Sequence, residues 1–297
     1  MTDWDSSALY DSYKYAGNVP KRGLLIEGRP ALGQFDPAKI ARYVLLAVRD
    51  PLCAYDDDPA TQLARRMDVA EQIGRSGMFT TWTGTYKGVA ITTVSGGSGS
   101  PEAELILHEL LEFTEADTFI RVGGSGGIHP KVEPGDVVVS SGVVRDEGMT
   151  RAYIPASYPA VSSYEVVVAM SRAAERLGQP YHVGVTRSSD SDFVGVGRPG
   201  VGGYFQPWHM DIFDTWARAG ILNGDRESAA VVTLAALFGK RGGSVCSVAD
   251  NVMANKPFQA GAGHHSSMDI ALEGLVELAA MDEQTANRGS VRWLGMR

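Results

Sequence analysis

The chain has 297 residues, 44% hydrophobic and 21% charged, enough to bury a core in one large α/β domain or two small ones. A formal net charge of -8 argues against nucleic acid or an anionic membrane as the main partner, but not against a small anion held by clustered arginines. Cys53 and Cys246, without a C-x-x-C or a Cys/His cluster, suggest neither a zinc site nor a disulfide framework, but buried reduced thiols.

The acidic N-terminus lacks the basic-then-apolar layout of a signal peptide, and no apolar run reaches transmembrane length, so a soluble cytoplasmic protein is expected. Residues 1–40 are interrupted by Pro20, Gly23, Gly28, Pro30, Gly33 and Pro37 and read as an irregular arm lying on the domain or on a neighbouring subunit. Strands and helices then alternate. Residues 43–48 form a compact apolar strand and 60–74 read as a helix; 79–86 and 89–94 form a hairpin across Lys87-Gly88. A helix over 101–113 presents Leu105, Leu107, Leu110 and Leu111 to a core, and strands follow at 119–122 and 136–144. An amphipathic helix at 161–177 leads to a strand at 182–187. Helices at 208–219 and 226–238, a buried strand at 244–249 and a helical segment at 268–281 complete the pattern. The alternation predicts a single three-layer α/β/α domain over 41–285 with a twisted mixed central sheet, and a peripheral tail at 286–297.

Ligands in such folds bind outside the carboxyl ends of strands. In Thr118-Phe-Ile-Arg-Val-Gly-Gly-Ser-Gly-Gly-Ile128 an apolar run delivers Arg121 to a glycine-rich segment carrying Ser125. Glycine permits positive φ and close approach to amide N–H groups, and a guanidinium suits phosphate or carboxylate. A tight strand-to-loop turn without a ligand is the plain alternative. The other segments at strand ends are 95–100, 190–203, 223–228 and Ala249-Asp250-Asn251. Asp56-Asp57-Asp58 reads as a solvated turn or helix start, because it lacks the spaced ligands of a calcium loop. His129 reads as a loop residue, and His264-His265 as a solvated turn.

Arg-Val-Gly-Gly-Ser-Gly-Gly-Ile, Pro134-Gly-Asp-Val-Val-Val, Asp225-Arg-Glu-Ser-Ala and Ser247-Val-Ala-Asp-Asn, in that order, resemble the motifs of the nucleoside phosphorylase superfamily, from about residue 43 to 278. The segment from Phe193 to Asp225, with Gly195-Val-Gly-Arg198, looks more like the uridine than the purine enzymes. The resemblance implies phosphorolysis of an N-glycosidic bond through a ribosyl oxocarbenium-like transition state. It also implies inorganic phosphate as co-substrate, no metal or organic cofactor, and a homodimer or homohexamer (a trimer of dimers). Glu227 matches the glutamate that binds the ribose hydroxyls, although an acid at a helix N-terminus also complements the macrodipole. Arg198 matches the arginine that stabilises the departing uracil, with Val196 in place of its glutamine companion. Phe193 would stack on base or sugar, or belong to the core. Asp250 lies where purine enzymes carry a general acid, and equally reads as a turn or cap residue. Asp225 replaces a glutamate. Arg226 replaces a methionine against the sugar and is free to pair with Asp225, Glu227 or an acidic substrate group.

The anion site departs furthest from the family. Arg49, Cys53, Gly77 and Gly124 occupy positions that resemble the phosphate contacts, so Arg121 is the contact retained. Arg49 and Arg75 are candidate replacements, Ser95, Ser98 and Ser125 candidate donors, and Gly97, Gly124 and Gly126 candidate backbone contacts. The family's histidine for the 5′-hydroxyl has no match before His108. The expectation is a pyrimidine nucleoside phosphorylase acting on a nonstandard or 5′-modified nucleoside. A hydrolytic nucleosidase and a catalytically weak nucleoside-binding protein are the rivals.

Overall fold

The computed structural model describes residues 7–49, 57–96, 98–287 and 289. Helix α1 (Ser7–Asp11) and a short hairpin of β1 (Leu25–Ile26) and β2 (Arg29–Pro30) precede β3 (Tyr43–Val48), α2 (Pro59–Ala64), and the strands β4 (Val69–Arg75), β5 (Thr80–Tyr86) and β6 (Val89–Gly96). The middle of the chain is α3 (Ser100–Phe113), β7 (Thr118–Gly127), β8 (Val137–Asp146), α4 (Thr150–Tyr153), β9 (Ala160–Val161), α5 (Tyr164–Leu177) and β10 (Tyr181–Ser189). It closes with α6 (Ile212–Arg218), β11 (Ile221–Asp225), α7 (Ser228–Leu237), β12 (Arg241–Asn251) and α8 (His264–Asn287).

Strand β3 shows why helices lie on both faces of the sheet. All six of its residues are buried. Tyr43, Leu45 and Ala47 join one core with Val166, Met170, Leu272 and Leu275 from α5 and α8. Val44 and Leu46 join a second core with Leu107, Leu110, Val231 and Leu234 from α3 and α7. A strand buried on both faces loses polar alternation and reads as a continuous apolar run, as this one does.

The main sheet has the order β11-β10-β8-β12-β7-β3-β6-β5-β4, with β9 paired to β8. β12 runs parallel to β7 and antiparallel to β8. β11 also pairs antiparallel with the end of β7, through Gly224↔Gly126 and Asn223↔Gly127, so the pairings of β7, β12, β8, β10 and β11 close a ring. Pairing of β7 with β3 stops at Ala47↔Val122, while pairing with β12 continues to Val248↔Ser125. The two strands part beyond Val122 and open a crevice at their carboxyl ends.

Four local expectations are corrected. Residues 60–74 are not one helix. Asp58 caps α2 through the Ala60 and Thr61 N–H groups, Pro59 occupies its first turn, and the helix ends at Ala64. Residues 69–75 form β4, the sheet's edge, where only Ile73 and Gly74 are buried. An edge strand carrying exposed Glu71, Gln72 and Arg75 is protected from further pairing, and its polar pattern disguises it as a helix face. Gly123–Gly127 is the extended end of β7 rather than a turn, and none of its glycines has positive φ. The helix expected over 208–219 is a 3-10 turn at Pro207–His209 followed by α6.

Residues 32–36 of the arm lie on the domain. Glu109 of α3 accepts the Leu32 and Gly33 N–H groups at 2.7 Å each, and Phe35 is fully buried against Gly74. His264 and His265 begin α8 instead of forming a solvated turn, and His264 is buried. Asp58 is a helix start, as one reading of the acidic triplet held; Asp56 and Cys53 lie outside the described residues.

Candidate active site

Strand β7 carries Arg121 into the crevice, where it is only 2% exposed. Its Nη2 donates to the Gly124 carbonyl at 2.8 Å and to Glu227 Oε2 at 2.9 Å, and its Nη1 donates to Cys246 Sγ at 2.8 Å. Asp225 Oδ2 lies 3.3 Å from Nε. One guanidinium thus faces two buried carboxylates. Burial opposes the Arg121 charge, but Cys246, Asp225 and Glu227 together raise its pKa above the ordinary range. Burial also raises the Cys246 thiol, while the charge of Arg121 pulls it back. Glu227 is pushed up from the ordinary 4.5 chiefly by burial; Arg121 pulls it back, and the Asp225 charge pushes it further up.

The two carboxylates have different surroundings. Asp225 accepts from Ser188 Oγ at 2.6 Å through Oδ1 and from the Ser228 N–H and hydroxyl through Oδ2. Its side chain is sealed, so it fixes the start of α7 and balances Arg121; the substrate contact assigned to it from the sequence is corrected. Glu227 is the N-cap residue of α7 and accepts from Arg121 on Oε2 and from the Gly99 N–H on Oε1. Gly99 holds φ +104, and the Arg226 guanidinium would lie 3.1 Å from a Cβ placed there. An ionised carboxylate has about four lone-pair sites. Two are taken here, which leaves two acceptor sites, the number a vicinal diol needs.

A second guanidinium lies across the same pocket. Arg198 donates from Nη2 to Asp250 Oδ2 at 2.7 Å, with side chains 39% and 10% exposed. The turn bearing Arg198 is set by Gly197 in the left-handed region and by an Arg198 N–H bond to the Phe193 carbonyl. Arg187 braces that turn. It is 5% exposed, donates to Asp146 and to the Gly195 carbonyl, and lies 5.1 Å over the Trp216 ring. Phe213, Trp216 and Phe258 supply the pocket's aromatic wall.

The structure gathers Arg49, Arg121, Gly124, Ser125, Gly126, Arg198, Asp225, Arg226, Glu227 and Asp250 around this one pocket. It does not bring Phe193 there. Phe193 is 63% exposed, because its turn directs it to solvent while α6 supplies the rings. Ser125 lines the pocket, but its hydroxyl donates to the Ser247 carbonyl and accepts from Asn223 Nδ2, so its expected role as a phosphate donor is corrected. Ser95 likewise donates to Asp58. Burial would raise the Asp58 carboxyl, but hydrogen bonds from Ser95 and Thr61 and the charge of Arg49 bring it below the ordinary range. Arg226 pairs with Asp192 at 3.0 Å and Ser98 at 3.1 Å, not with either carboxylate beside it in sequence. Arg75 lies on the edge strand and away from this pocket. Gly97 lies outside the described residues.

Sequence reasoning missed Arg187, Phe213, Trp216 and Phe258. For Arg187 the signal was its place just before the strand-end serines 188 and 189. For the aromatics it was the i, i+3 spacing of Phe213 and Trp216 on a short helix. Among the described residues no group of three or more His, Cys, Asp or Glu could hold a metal ion, and no helix is long and apolar enough to cross a membrane.

The carboxyl strand ends of this α/β protein converge two guanidiniums, a half-satisfied glutamate and an aromatic wall on one pocket. The family model described as the phosphorylase superfamily matches residues 52–278, and the chain belongs to that superfamily. A uridine phosphorylase of Thermococcus kodakarensis is 38% identical over 262 residues, covering 88% of this chain and 91% of that protein. The Escherichia coli uridine phosphorylase is 32% identical over 197 residues, covering 66% and 78%. A guanosine phosphorylase of Halorubrum lacusprofundi is 29% identical over 199 residues, covering 67% and 77%.

Proposed function

We propose that this chain cleaves the N-glycosidic bond of a pyrimidine nucleoside with inorganic phosphate, releasing free base and pentose 1-phosphate. The observation that carries the reading is the Arg121–Glu227 contact at the floor of a pocket that Arg198 also lines. A phosphate oxygen attacks the anomeric carbon, the carbon–nitrogen bond breaks, and its electron pair leaves with the base. Positive charge develops on the sugar and negative charge on the base. Ionised Glu227 answers the first while accepting the diol, and Arg198 answers the second; preorganised groups of this kind carry much of a barrier reduction. Arg121 holds Glu227 in place and offers phosphate its remaining Nη1 hydrogen, while exposed Arg49 supplies the charge that Arg121 shares with its own carboxylates. Phosphate is the co-substrate, so the chemistry requires no metal or organic cofactor.

The anion site is sparse within one chain, which supports a homodimer or homohexamer in which a neighbour completes it. Residues 41–285 form the catalytic unit, and the cytoplasm, where phosphate and nucleosides meet, is the proposed location. The deciding experiment is base release from uridine with and without phosphate. Release that requires phosphate, with pentose 1-phosphate as product, is expected; release unaffected by removing phosphate would overturn the reading. A mass measurement of the active species tests the assembly, and an active monomer would refute it.

A further inference from the structure

Each carboxylate lining the pocket has a distinct environment. Asp225 is sealed, Glu227 belongs to Arg121, and Asp192 holds Arg226. Asp250 is the carboxylate placed beside Arg198. Val196, two residues before Arg198 and lining the same pocket, offers only an apolar side chain. The backbone makes room for this placement. A Cβ on Gly126 would lie 2.9 Å from Asp250 Oδ1, so a side chain there would displace the carboxylate.

We infer that Asp250 is a specificity-determining acceptor paired to Arg198, and that the two together read a nucleobase edge bearing a carbonyl next to a ring N–H. The inference deepens the nucleoside reading above and rests on it. The guanidinium has five N–H groups and keeps donors free after binding Asp250. These suit a base carbonyl, and the carboxylate suits the adjacent ring N–H. The ion pair is strongest with the carboxyl ionised, the state in which both Asp250 oxygens accept. Uracil and thymine present the carbonyl and N–H that this pair matches. Cytosine presents a bare ring nitrogen at the position of that N–H, and the nitrogen's lone pair would face the carboxylate. Sites built around such a hydrogen bond discriminate strongly, here by at least about 100-fold.

The test measures kcat/KM at saturating phosphate for uridine, cytidine and adenosine, together with calorimetric binding of 1-methyluracil and 1-methylcytosine, for the wild type and Asp250→Asn. We expect the wild type to favour uridine over cytidine and 1-methyluracil over 1-methylcytosine. In Asp250→Asn the uridine value should fall about 10- to 100-fold and the uridine-to-cytidine ratio should move toward one, because an amide can turn its N–H₂ toward the bare nitrogen. Equal losses on both substrates would make Asp250 merely structural and overturn the inference. So would wild-type binding of 1-methyluracil and 1-methylcytosine with equal affinity, a measurement that does not depend on the variant folding. A preference for adenosine, which has no ring N–H beside a carbonyl, that the Asn variant abolishes would identify a proton donor and also overturn it. Base binding needs no turnover, so a wild type that discriminates the two methylated bases but fails to use phosphate would refute the proposed reaction and leave this pairing standing.

Discussion

Replacing Glu227 with glutamine separates what this residue does for catalysis from what it does to the fold. The substitution keeps shape and removes one buried charge. In activity it removes the anion facing the sugar and turns an amide donor toward either the Gly99 N–H or Arg121, both of which need an acceptor. Loss of one preorganised group aimed at transition-state charge costs about 2.7–4 kcal/mol, or roughly 10²–10³ in kcat. In stability the sign is the opposite. Burial raises the folded-state pKa of Glu227 above its unfolded value, so the native state holds that proton more tightly. The resulting stability is fully present below the unfolded pKa and is lost as pH rises through the folded pKa. Arg121 remains matched by Asp225 in the variant, so no guanidinium is stranded. Thermal melting of the two proteins across pH 4–9 should therefore show similar midpoints at the acid end and a higher midpoint for Glu227→Gln at the alkaline end. The acid limb of the wild-type pH–rate profile should lie above the ordinary glutamate range and be absent in the variant. A variant that melts below the wild type at alkaline pH would refute the reasoning, because the Arg121 contact would then outweigh burial.

Arg121→Met should leave Asp225 and Glu227 without their shared counter-charge and cost about 3–5 kcal/mol, seen as a large drop in urea midpoint; a stable variant with only a raised KM for phosphate would show that Arg121 serves the ligand alone. Ser125→Ala strands the Ser247 carbonyl and Asn223 Nδ2, so a loss of about 1–3 kcal/mol in stability with little change in phosphate KM is expected. A phosphate KM raised tenfold in that variant would restore the hydroxyl as a phosphate donor.

The buried strands β3, β7 and β12 and the helices α3, α5 and α7 were legible in the residues, because burial on one or two faces writes its own period into the chain. The motifs around Arg121, Glu227 and Asp250 were legible through their resemblance to those of the superfamily, since their own short-range chemistry also fits a turn or a helix start. Strand β4 was not legible, since an outer strand is defined by its neighbours, here β5 and the Phe35 bridge to Gly74, and not by its own pattern. The partners of the charges were also invisible. Arg226 adjoins two carboxylates in sequence and bonds to Asp192, 34 positions away, while Ser125 sits in a suggestive glycine segment and bonds to a carbonyl 122 positions away. Sequence by itself determined which chemical groups stand at the carboxyl ends of the strands. Only the tertiary structure decided which of them neutralise one another and which keep a free valence for a ligand, because Coulomb and hydrogen-bond energies depend on through-space distances that a linear order does not contain.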